Sequence, residues 1–415
     1  MKIRKAEGGV TAPKGFLAAC CAAGIKYRDR NDMAMIFSEV PCRAAGTFTS
    51  NIVKAAPVLW DMEAVRGGSP VSAVVVNAGI ANAATGAQGM ELCRQTAVCA
   101  ASSLRIPASS VLLGSTGVIG PQLPLDRIAA GISAMSGTLS SSLEAGTAAS
   151  KAIMTTDTVN KECAVAFELP SASGGGNVTV RLGGMSKGSG MIHPNMCTML
   201  GYLTTDCDIS GALLQKALSS VVPDTFNMIS VDGDTSTNDT LLLLANGTAC
   251  NLKISEENES FFLFREALFM VCKELAMKMA GDGEGASHRI EMRVFGADTK
   301  EHARMLARSV VSSSLVKAMV FGKDANCGRI LCALGYAGVP FDPAVIEVWL
   351  KGTEEDVCFH TNGCVQEFDE EKAMALLSEP EVSFSCCMHM GNEEATAWGC
   401  DLTYDYVRIN GDYRS

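Results

Sequence analysis

The segment Lys187–Asp206 contains the residues whose types and order could do chemistry. It reads K-G-S-G-M-I-H-P-N-M-C-T-M-L-G-Y-L-T-T-D, with glycines first, then Pro194 and Asn195, then an apolar run that begins at Thr198. A threonine at the entry of a strand can point its hydroxyl at the preceding carbonyl, here that of Cys197, and in a strained peptide it can split the chain there. The new amino terminus would carry an α-amine with a pKa of about 7.7–8.0, which suits a base beside the hydroxyl.

The same residues have a purely structural interpretation. A turn rich in glycine and proline that leads to a buried strand is common, and Thr198 would then be an ordinary β-branched strand residue. Ser115–Gly117, within G-S-T-G-V-I-G, is typical of a loop because Gly and Ser dominate turns. Lys187 would be a surface lysine and Glu284 a solvated loop carboxylate. The residues alone favour this structural interpretation and leave the catalytic one open as the alternative.

Other motif matches predict no metal or cofactor site. Gly184–Gly188 fits G-x-S-x-G, but the glycines and proline that follow it exclude the helix that a nucleophile elbow needs. Cys386, Cys387 and His389 lack a second ligand pair at the spacing of a zinc site. The chain contains no G-x-x-x-x-G-K-[ST] sequence, so ATP binding has no support. We therefore expect no metal and no cofactor.

Hydrophobic periodicity predicts the elements that would position these residues. Short or alternating apolar runs predict strands at Val71–Val76, Val178–Leu182, Met199–Leu203, Leu241–Ala245 and Ile290–Phe295. Helical periodicity predicts helices at Glu91–Leu104, Phe261–Met279 and Thr299–Val320. Because strands and helices mix without a strict βαβ alternation, we predict an α+β fold, a layered sandwich rather than a doubly wound sheet. The last apolar and aromatic run, Leu402–Ile409, predicts a strand.

Composition and charge exclude several classes of function. The chain has 415 residues, which predicts two lobes rather than one core. Its net charge is −11, and because an acidic surface repels phosphate backbones we predict no nucleic-acid partner. No apolar run approaches the roughly 20 residues of a transmembrane helix, and the apolar stretch before Cys20 is too short for a signal-peptide core. We expect no membrane association and a cytoplasmic location.

Segments in order along nearly the whole chain resemble the ornithine acetyltransferase family, also called the glutamate N-acetyltransferase family. The segment K-G-S-G-M-I-x-P-N-M-x-T-M-L, at residues 187–200, resembles the autoprocessing signature of that family. The other matching segments are Gly9–Lys14, Asn51–Val58, Asn77–Gly86, Gly114–Gly120, Met154–Thr158, Val231–Thr240, Gly281–Ala286 and Ala397–Ser415.

The resemblance implies a specific reaction. The precursor would cut itself between Cys197 and Thr198, and Thr198 would then accept an acetyl group from N-acetylornithine and pass it to glutamate by a ping-pong mechanism. Acetyl-CoA is an additional candidate donor. One alternative is an N-terminal-nucleophile aminopeptidase or amidohydrolase that uses the same cleaved threonine, and another is an uncleaved, non-catalytic binding protein.

The resemblance also implies the residues of the site. The hydroxyl of Thr116 and the backbone N–H of Gly117 would stabilise the oxyanion of each step. The residues implied to bind substrate are Thr156 or its neighbour Thr155, Lys187, Thr198, Glu284, Asn410 and Ser415. We prefer Thr156 over Thr155, and we expect Glu284 to bind the ornithine ammonium.

Fold and assembly follow from the resemblance in the same way. The family implies a layered sandwich of the ornithine acetyltransferase and DmpA-like type, with the chain cut into two intertwined fragments at residues 1–197 and 198–415. These fragments would stay associated and pair further into a heterotetramer of two α and two β chains. The family usually has Ala where this chain has Cys197, and D-P-N-W-G-R-I appears here as D-A-N-C-G-R-I in Asp324–Ile330.

Overall fold

A computed structural model describes residues 2–192 and 199–412 of the chain. The described residues divide into two compact units. The first unit comprises residues 2–188, 199–223 and 235–275, and the second comprises residues 189–192, 224–234 and 276–412. Three residues of the predicted site, Cys197, Thr198 and Ser415, lie outside the described residues.

The elements within the described residues are given in chain order. The strands are β1 (Ile3–Ala6), β2 (Phe16–Cys21), β3 (Met33–Phe48), β4 (Val71–Ile80), β5 (Val111–Val118), β6 (Lys161–Pro170), β7 (Asn177–Lys187), β8 (Leu200–Thr205), β9 (Ile229–Ser230), β10 (Thr240–Ala245), β11 (Arg289–Ala297), β12 (Glu347–Lys351), β13 (Val357–Thr361), β14 (Cys364–Val365), β15 (Glu381–Cys387) and β16 (Glu393–Cys400). The helices are α1 (Ala56–Gly67), α2 (Gly86–Leu104), α3 (Leu125–Ser136), α4 (Leu143–Ala152), α5 (Gly211–Val221), α6 (Glu259–Gly281), α7 (Lys300–Ser312), α8 (Ser314–Gly322), α9 (Cys327–Gly335), α10 (Glu370–Leu376) and α11 (Tyr404–Gly411).

The first unit is built on a mixed sheet in the order β1-β6-β7-β8-β10-β3-β4-β5, with β2 paired to β3. Strand β3 pairs with β10 through its second half and with β2 and β4 through its first half. Two parallel pairs matter for the site: β8 lies beside β10, and β5 lies beside β4. The ends of β5, β7 and β8 therefore belong to one continuous sheet.

Both faces of this sheet are buried, which explains its runs of apolar residues. Along β4, Val74 and Val76 pack into a cluster on one face that also contains Ala149 and Ala152 of α4. Ala73 and Val75 pack on the opposite face, in a cluster that also holds apolar residues of α2 and α3. The first unit is therefore layered, with helices on both sides of the sheet.

The second unit has a sheet of its own in the order β14-β13-β12-β15-β11-β16-β9. Strand β11 is paired parallel to β15 and antiparallel to β16. Helix α7 packs on β11 and β16, and its buried residues are Ala303, Leu306, Ala307, Val310 and Val311. Helix α11 follows the sheet, and the side chain of Thr403 accepts a hydrogen bond from the Asp405 N–H at its start.

The predicted α+β class is confirmed, and so is most of the predicted secondary structure. The five predicted strands correspond to β4, β7, β8, β10 and β11. The helices predicted at Glu91–Leu104 and Phe261–Met279 are α2 and α6, each slightly longer than predicted. Periodicity was sufficient in these elements because each buries a continuous apolar face.

Two element predictions were wrong. The run Leu402–Ile409 forms helix α11 instead of a strand, because Thr403 caps a helix there and Tyr404 and Val407 are exposed instead of buried. The single helix predicted at Thr299–Val320 is interrupted at Ser313, whose extended backbone ends α7 and whose hydroxyl caps α8.

No single helix within residues 2–192 and 199–412 is long and apolar enough to span a bilayer. The bent pair formed by α7 and α8, at 54°, passes that test on length and composition alone.

A buried acid supports strand β5 from α1. Asp61 is fully buried, and its Oδ1 accepts a hydrogen bond from the Leu113 N–H at 2.8 Å. Its Oδ2 has no hydrogen-bond partner among the described residues. Burial raises the pKa of Asp61 well above its ordinary value, although the Leu113 N–H partly opposes the shift. The native state therefore favours the protonated acid.

Replacing Asp61 with asparagine should stabilise the protein at pH 7. The pKa of Asp61 is higher in the native state than the value of about 3.9 in the unfolded state. Below about pH 3.9 Asp61 is protonated in both states. As the pH rises from there toward the native pKa, the unfolded state ionises first and the protein loses stability. An amide can keep the Leu113 hydrogen bond without that cost. We expect a gain of about 1 kcal/mol in urea unfolding at pH 7 and no gain at pH 4. A variant that is less stable than the wild-type protein at pH 7 would contradict this assignment.

Candidate functional site

Strands β4 and β5 approach so closely at their ends that a side chain cannot fit between them. Gly117 lies opposite Gly79 in the parallel pair and has φ of 129°, in a region that L side chains rarely adopt. A Cβ atom on Gly117 would lie 2.2 Å from the carbonyl carbon of Gly79. The backbone geometry of the first unit therefore requires glycine at position 117, the second glycine of G-S-T-G-V-I-G.

Hydrogen bonds with two asparagines, one an acceptor and one a donor, fix the chain just before Thr116. The Ser115 hydroxyl donates to Asn77 Oδ1 at 2.6 Å. Asn238 Nδ2 donates to the Ser115 carbonyl at 2.8 Å and to the Ala81 carbonyl at 2.6 Å. Three segments that the sequence analysis singled out, at residues 77–86, 114–120 and 231–240, therefore meet at the end of β5. Their contacts hold Ser115, the residue that precedes the Thr116–Gly117 peptide.

Lys187, at the end of β7, extends its side chain to Thr116 at the end of β5. Its Nζ donates to Thr116 Oγ1 at 3.4 Å and lies 3.9 Å from Asp157 Oδ2. Its side chain is 5% exposed, so the interpretation of Lys187 as a surface lysine is wrong. The structure thus brings together Thr116, Gly117 and Lys187, which the family resemblance assigned to oxyanion stabilisation and substrate binding.

Asp157 is the buried counter-charge of this cluster. Its Oδ1 accepts from Lys161 Nζ and from the Gly188 N–H, each at 2.7 Å, and its Oδ2 accepts from the Thr155 N–H at 3.0 Å. Burial acts to raise the pKa of Asp157, but the charges of Lys187 and Lys161 and these hydrogen bonds outweigh it and hold the pKa well below its ordinary range. Asp157 is therefore an ionised residue that holds Lys187 in place.

Asp157 was not among the residues predicted from the sequence. It lies inside M-T-T-D-T, a segment that the resemblance included, but the resemblance implied a role only for the threonines there. The Thr155 N–H contacts Asp157, and both Thr155 and Thr156 are half-buried beside it. The only signal in the sequence was an acidic residue within a matching segment, which does not reveal its partners on β6 and β7.

Replacing Asp157 with asparagine should destabilise the protein, because two buried lysines lose their counter-charge. We expect a loss of about 3–5 kcal/mol in urea unfolding at pH 7. The native pKa is lowered, so this stability is present above the unfolded pKa of about 3.9 and is lost as the pH falls below it. The difference between wild type and variant should therefore shrink below pH 4.

The control for this variant is Asp208→Asn, which breaks the partly exposed ion pair to Arg43 at 3.0 Å. Exposed pairs contribute at most about 1 kcal/mol, so the control should change stability little. Equal losses in the two variants would contradict the role given to Asp157.

The second unit contains the other two described residues of the predicted site, and they contact each other. Asn410 Nδ2, on α11, donates to Glu284 Oε2 at 2.7 Å. Glu284 is 6% exposed, and its N–H donates to the Ser189 carbonyl at 2.9 Å. A Cβ atom on Gly190 would lie 2.2 Å from the Glu284 carboxylate, so only glycine leaves room for it. The interpretation of Glu284 as a solvated loop residue is wrong.

Comparison with known proteins decides the family. Residues 17–415 match the ArgJ family. The chain belongs to the ArgJ family. The arginine biosynthesis bifunctional protein ArgJ of Symbiobacterium thermophilum is 50% identical over 410 residues, which cover 98% of this chain and 99% of that protein. ArgJ 1 of Clostridium acetobutylicum is 47% identical over 400 residues, which cover 96% of each chain.

A solved structure of an ornithine acetyltransferase from Mycobacterium tuberculosis, in complex with ornithine, is also similar to this chain. It is 40% identical, with a TM-score of 0.42, and the match covers 46% of this chain and 98% of that one. Membership in the ArgJ family confirms the sequence-based recognition. The chain is an acyltransferase of arginine biosynthesis, and its reaction is acetyl transfer.

Proposed function

We propose that the chain cuts itself before Thr198 and then transfers acetyl from N-acetylornithine to glutamate, giving ornithine and N-acetylglutamate. The observation that carries the proposal is the meeting of Thr116, Gly117 and buried Lys187 at the end of β5 and β7. A hydroxyl, a backbone N–H in a glycine-only conformation and a fixed cation are the groups that stabilise the oxyanion of an acyl transfer and bind a carboxylate.

Self-cleavage would proceed in two balanced steps. The Thr198 hydroxyl attacks the Cys197 carbonyl carbon, the C–N bond to Thr198 breaks, and the hydroxyl proton ends on the released nitrogen. This leaves an ester between Cys197 and the threonine oxygen. Water then hydrolyses the ester, frees the Cys197 carboxylate and restores the hydroxyl beside a new α-amine. Cys197 is nearly as small as the alanine usual in the family, so we expect it to permit cleavage.

Acetyl transfer would use the same hydroxyl twice. Thr198 attacks the acetyl carbonyl of N-acetylornithine, the amide C–N bond breaks, and the α-amine of Thr198 passes the hydroxyl proton to the departing ornithine nitrogen. The glutamate α-amine then attacks the acetyl ester, which restores the free hydroxyl and gives N-acetylglutamate. In both steps the oxyanion accepts hydrogen bonds from the Thr116 hydroxyl and the Gly117 N–H.

The binding roles follow the chemistry of each side chain. Lys187, with a hydroxyl from Thr156 or Thr155, binds the substrate α-carboxylate. Glu284, oriented by Asn410, binds the ornithine ammonium. Ser415 completes the set, as the resemblance implies. Support comes from the burial of Lys187 and Glu284, because a charged group that is held in a site with little water binds an opposite charge more strongly than it would in bulk water.

A hydrolase with the same nucleophile is the second candidate, and acetate release distinguishes the two. In the transferase, glutamate accelerates release of ornithine from N-acetylornithine and the acetyl group is recovered in N-acetylglutamate. In a hydrolase, acetate appears at the same rate with or without glutamate. We expect the transferase result, and glutamate-independent acetate release as the main product would overturn the proposal.

The assembly and location are part of the same proposal. Residues 1–197 and 198–415 stay together after cleavage and pair into a heterotetramer that acts in the cytoplasm. Measuring N-acetylglutamate formed from acetyl-CoA and glutamate tests whether acetyl-CoA is a second donor. The two relatives are named bifunctional proteins, which is the reason to test this chain for a second activity.

A further inference from the structure

The segment Val231–Thr240 contains two aspartates whose carboxylates bind backbone N–H groups on either side of the cleavage sequence. It reads V-D-G-D-T-S-T-N-D-T and connects β9 to β10. Neither Asp232 nor Asp239 has a role in the mechanism above. Asp239 makes its contacts inside the first unit, and Asp232 makes its contacts inside the second.

In the first unit, Asp239 holds the residue that follows Thr198. Asp239 is fully buried, and its Oδ1 accepts from the Met199 N–H at 3.0 Å. The Thr240 N–H donates to the Met199 carbonyl, also at 3.0 Å. Both peptide groups of Met199 are therefore fixed. Since the Met199 N–H belongs to the peptide bond between Thr198 and Met199, Asp239 binds directly to the peptide of the proposed nucleophile.

The neighbour of Asp239 connects this contact to the oxyanion strand. Asn238 Nδ2 donates to the carbonyl of Ser115, the residue before Thr116. The Thr49 N–H donates to the Asp239 carbonyl at 3.0 Å, and the Thr49 hydroxyl donates to the Ser236 carbonyl at 2.7 Å. Two consecutive residues, Asn238 and Asp239, thus bind the strand of Thr116 and the peptide of Thr198, and Thr49, just after β3, binds the backbone of the same segment.

In the second unit, Asp232 holds the chain upstream of the cleavage sequence. Its Oδ2 accepts from the Met191 N–H at 2.5 Å and its Oδ1 accepts from the Ile192 N–H at 2.8 Å. The Val231 N–H donates to the Ile192 carbonyl at 2.7 Å. Met191 has φ of 55°, which is uncommon for a residue other than glycine, so the chain turns sharply where Asp232 binds it.

We propose that Asp239 and Asp232 are positioning residues for self-cleavage, which hold the two ends of the segment that contains Cys197 and Thr198. The inference rests on the proposed cleavage at Cys197–Thr198. Attack of a hydroxyl on the neighbouring carbonyl needs close alignment, and misplacement by about 1 Å costs roughly 10²-fold in rate. Each contact fixes a backbone position next to that segment, Met199 on one side and Ile192 on the other, so less conformational entropy remains to be lost there when the hydroxyl attacks.

The two aspartates use their oxygens differently, and this predicts a different response to asparagine. Asp239 accepts with one oxygen, so Asp239→Asn keeps the contact and Asp239→Ala removes it. Asp232 accepts with both oxygens, so Asp232→Asn places an NH₂ group against a backbone N–H, and both Asp232→Asn and Asp232→Ala lose a hydrogen bond.

The test follows cleavage of freshly synthesised full-length chains by intact mass, with thermal unfolding of each product as a measure of folding. We expect Asp239→Asn to cleave at the wild-type rate. Asp239→Ala, Asp232→Asn and Asp232→Ala should each cleave about 10²-fold more slowly. Asp206→Asn is the control. Asp206 is buried, whereas Asp232 is half-buried, but Asp206 also accepts two backbone N–H groups, those of Lys14 and Arg181, one with each oxygen, so its asparagine variant also places an NH₂ group against a backbone N–H.

Each outcome decides the matter. Wild-type cleavage rates in folded Asp239→Ala or Asp232→Asn would overturn the inference. If the alanine variants do not fold, equal cleavage rates in Asp239→Asn and Asp232→Asn would overturn it. Slow cleavage in Asp206→Asn would show that any buried aspartate has this effect, which also overturns it. If the wild-type chain itself is never cut, the proposed function fails first, whereas normal wild-type cleavage with unaffected variants refutes the positioning roles alone.

Discussion

Replacing Thr198 with alanine is expected to leave one uncut chain of 415 residues that gains no acetyl group from N-acetylornithine. The substitution removes the only atom that attacks in both proposed reactions, so cleavage and transfer are lost together. Loss of a covalent nucleophile lowers turnover by about 10⁴-fold or more. Intact mass under denaturing conditions reports the cleavage, and ornithine release reports the transfer.

The control for this prediction is Thr198→Ser, which keeps a hydroxyl and loses only a methyl group. We expect it to cut itself and to accept acetyl, with changed rates. A Thr198→Ala chain that is still cut between Cys197 and Thr198 would show that another group attacks that carbonyl. A Thr198→Ala protein that turns over at the wild-type rate would remove Thr198 from the mechanism altogether.

Replacing Gly117 with alanine is expected to lower the rate of acetyl transfer by about 10²–10³-fold, the effect of losing one oxyanion donor. The new Cβ would lie 2.2 Å from the Gly79 carbonyl carbon, a distance that real Cβ contacts do not show. The backbone must shift, and since Gly117 donates through its backbone N–H, the shift misaligns that donor. The Thr116 hydroxyl on the same peptide should move with it. The rate constant for ornithine release should fall, with a smaller change in KM.

Gly120→Ala separates this effect from backbone strain. Gly120 belongs to the same G-S-T-G-V-I-G segment and has φ of 109°, but a Cβ there meets nothing within 4 Å. Both variants place alanine at an unfavourable φ, which costs about 1 kcal/mol or more in stability. Only Gly117→Ala displaces the proposed oxyanion donor. Equal losses of activity in the two variants would contradict the role of Gly117.

The sequence predicted the regular elements well because their signal is local. Helix α6 has apolar residues at helical spacing, and strands β4 and β10 are short apolar runs of the length typical of buried strands. Helix α11 shows the limit of that reasoning. Its tyrosines, valine and isoleucine suit an exposed helix as well as a strand, and the choice depends on a single cap at Thr403. The break at Ser313 is likewise a one-residue event that periodicity over a long window does not detect.

The site residues were harder to predict from the sequence than the fold was. The resemblance identified four of the described site residues, Thr116, Gly117, Lys187 and Glu284. Physical reasoning alone favoured an ordinary loop for the first two and solvated side chains for the two charged residues. Both charged residues are buried in the structure, which contradicts that reasoning. Burial depends on contacts between residues far apart in the chain. Asp157, Asn238 and Asp239 were missed for the same reason, because a carboxylate or amide that binds distant backbone groups looks like any loop residue.

The central claim is tested most directly by the intact mass of the purified wild-type protein under denaturing conditions, before and after brief incubation with N-acetylornithine. We predict two fragments, residues 1–197 and 198–415, and a gain of one acetyl group on the second fragment alone. A single uncut chain that never gains an acetyl group would contradict self-cleavage and the acetyl-threonine intermediate together.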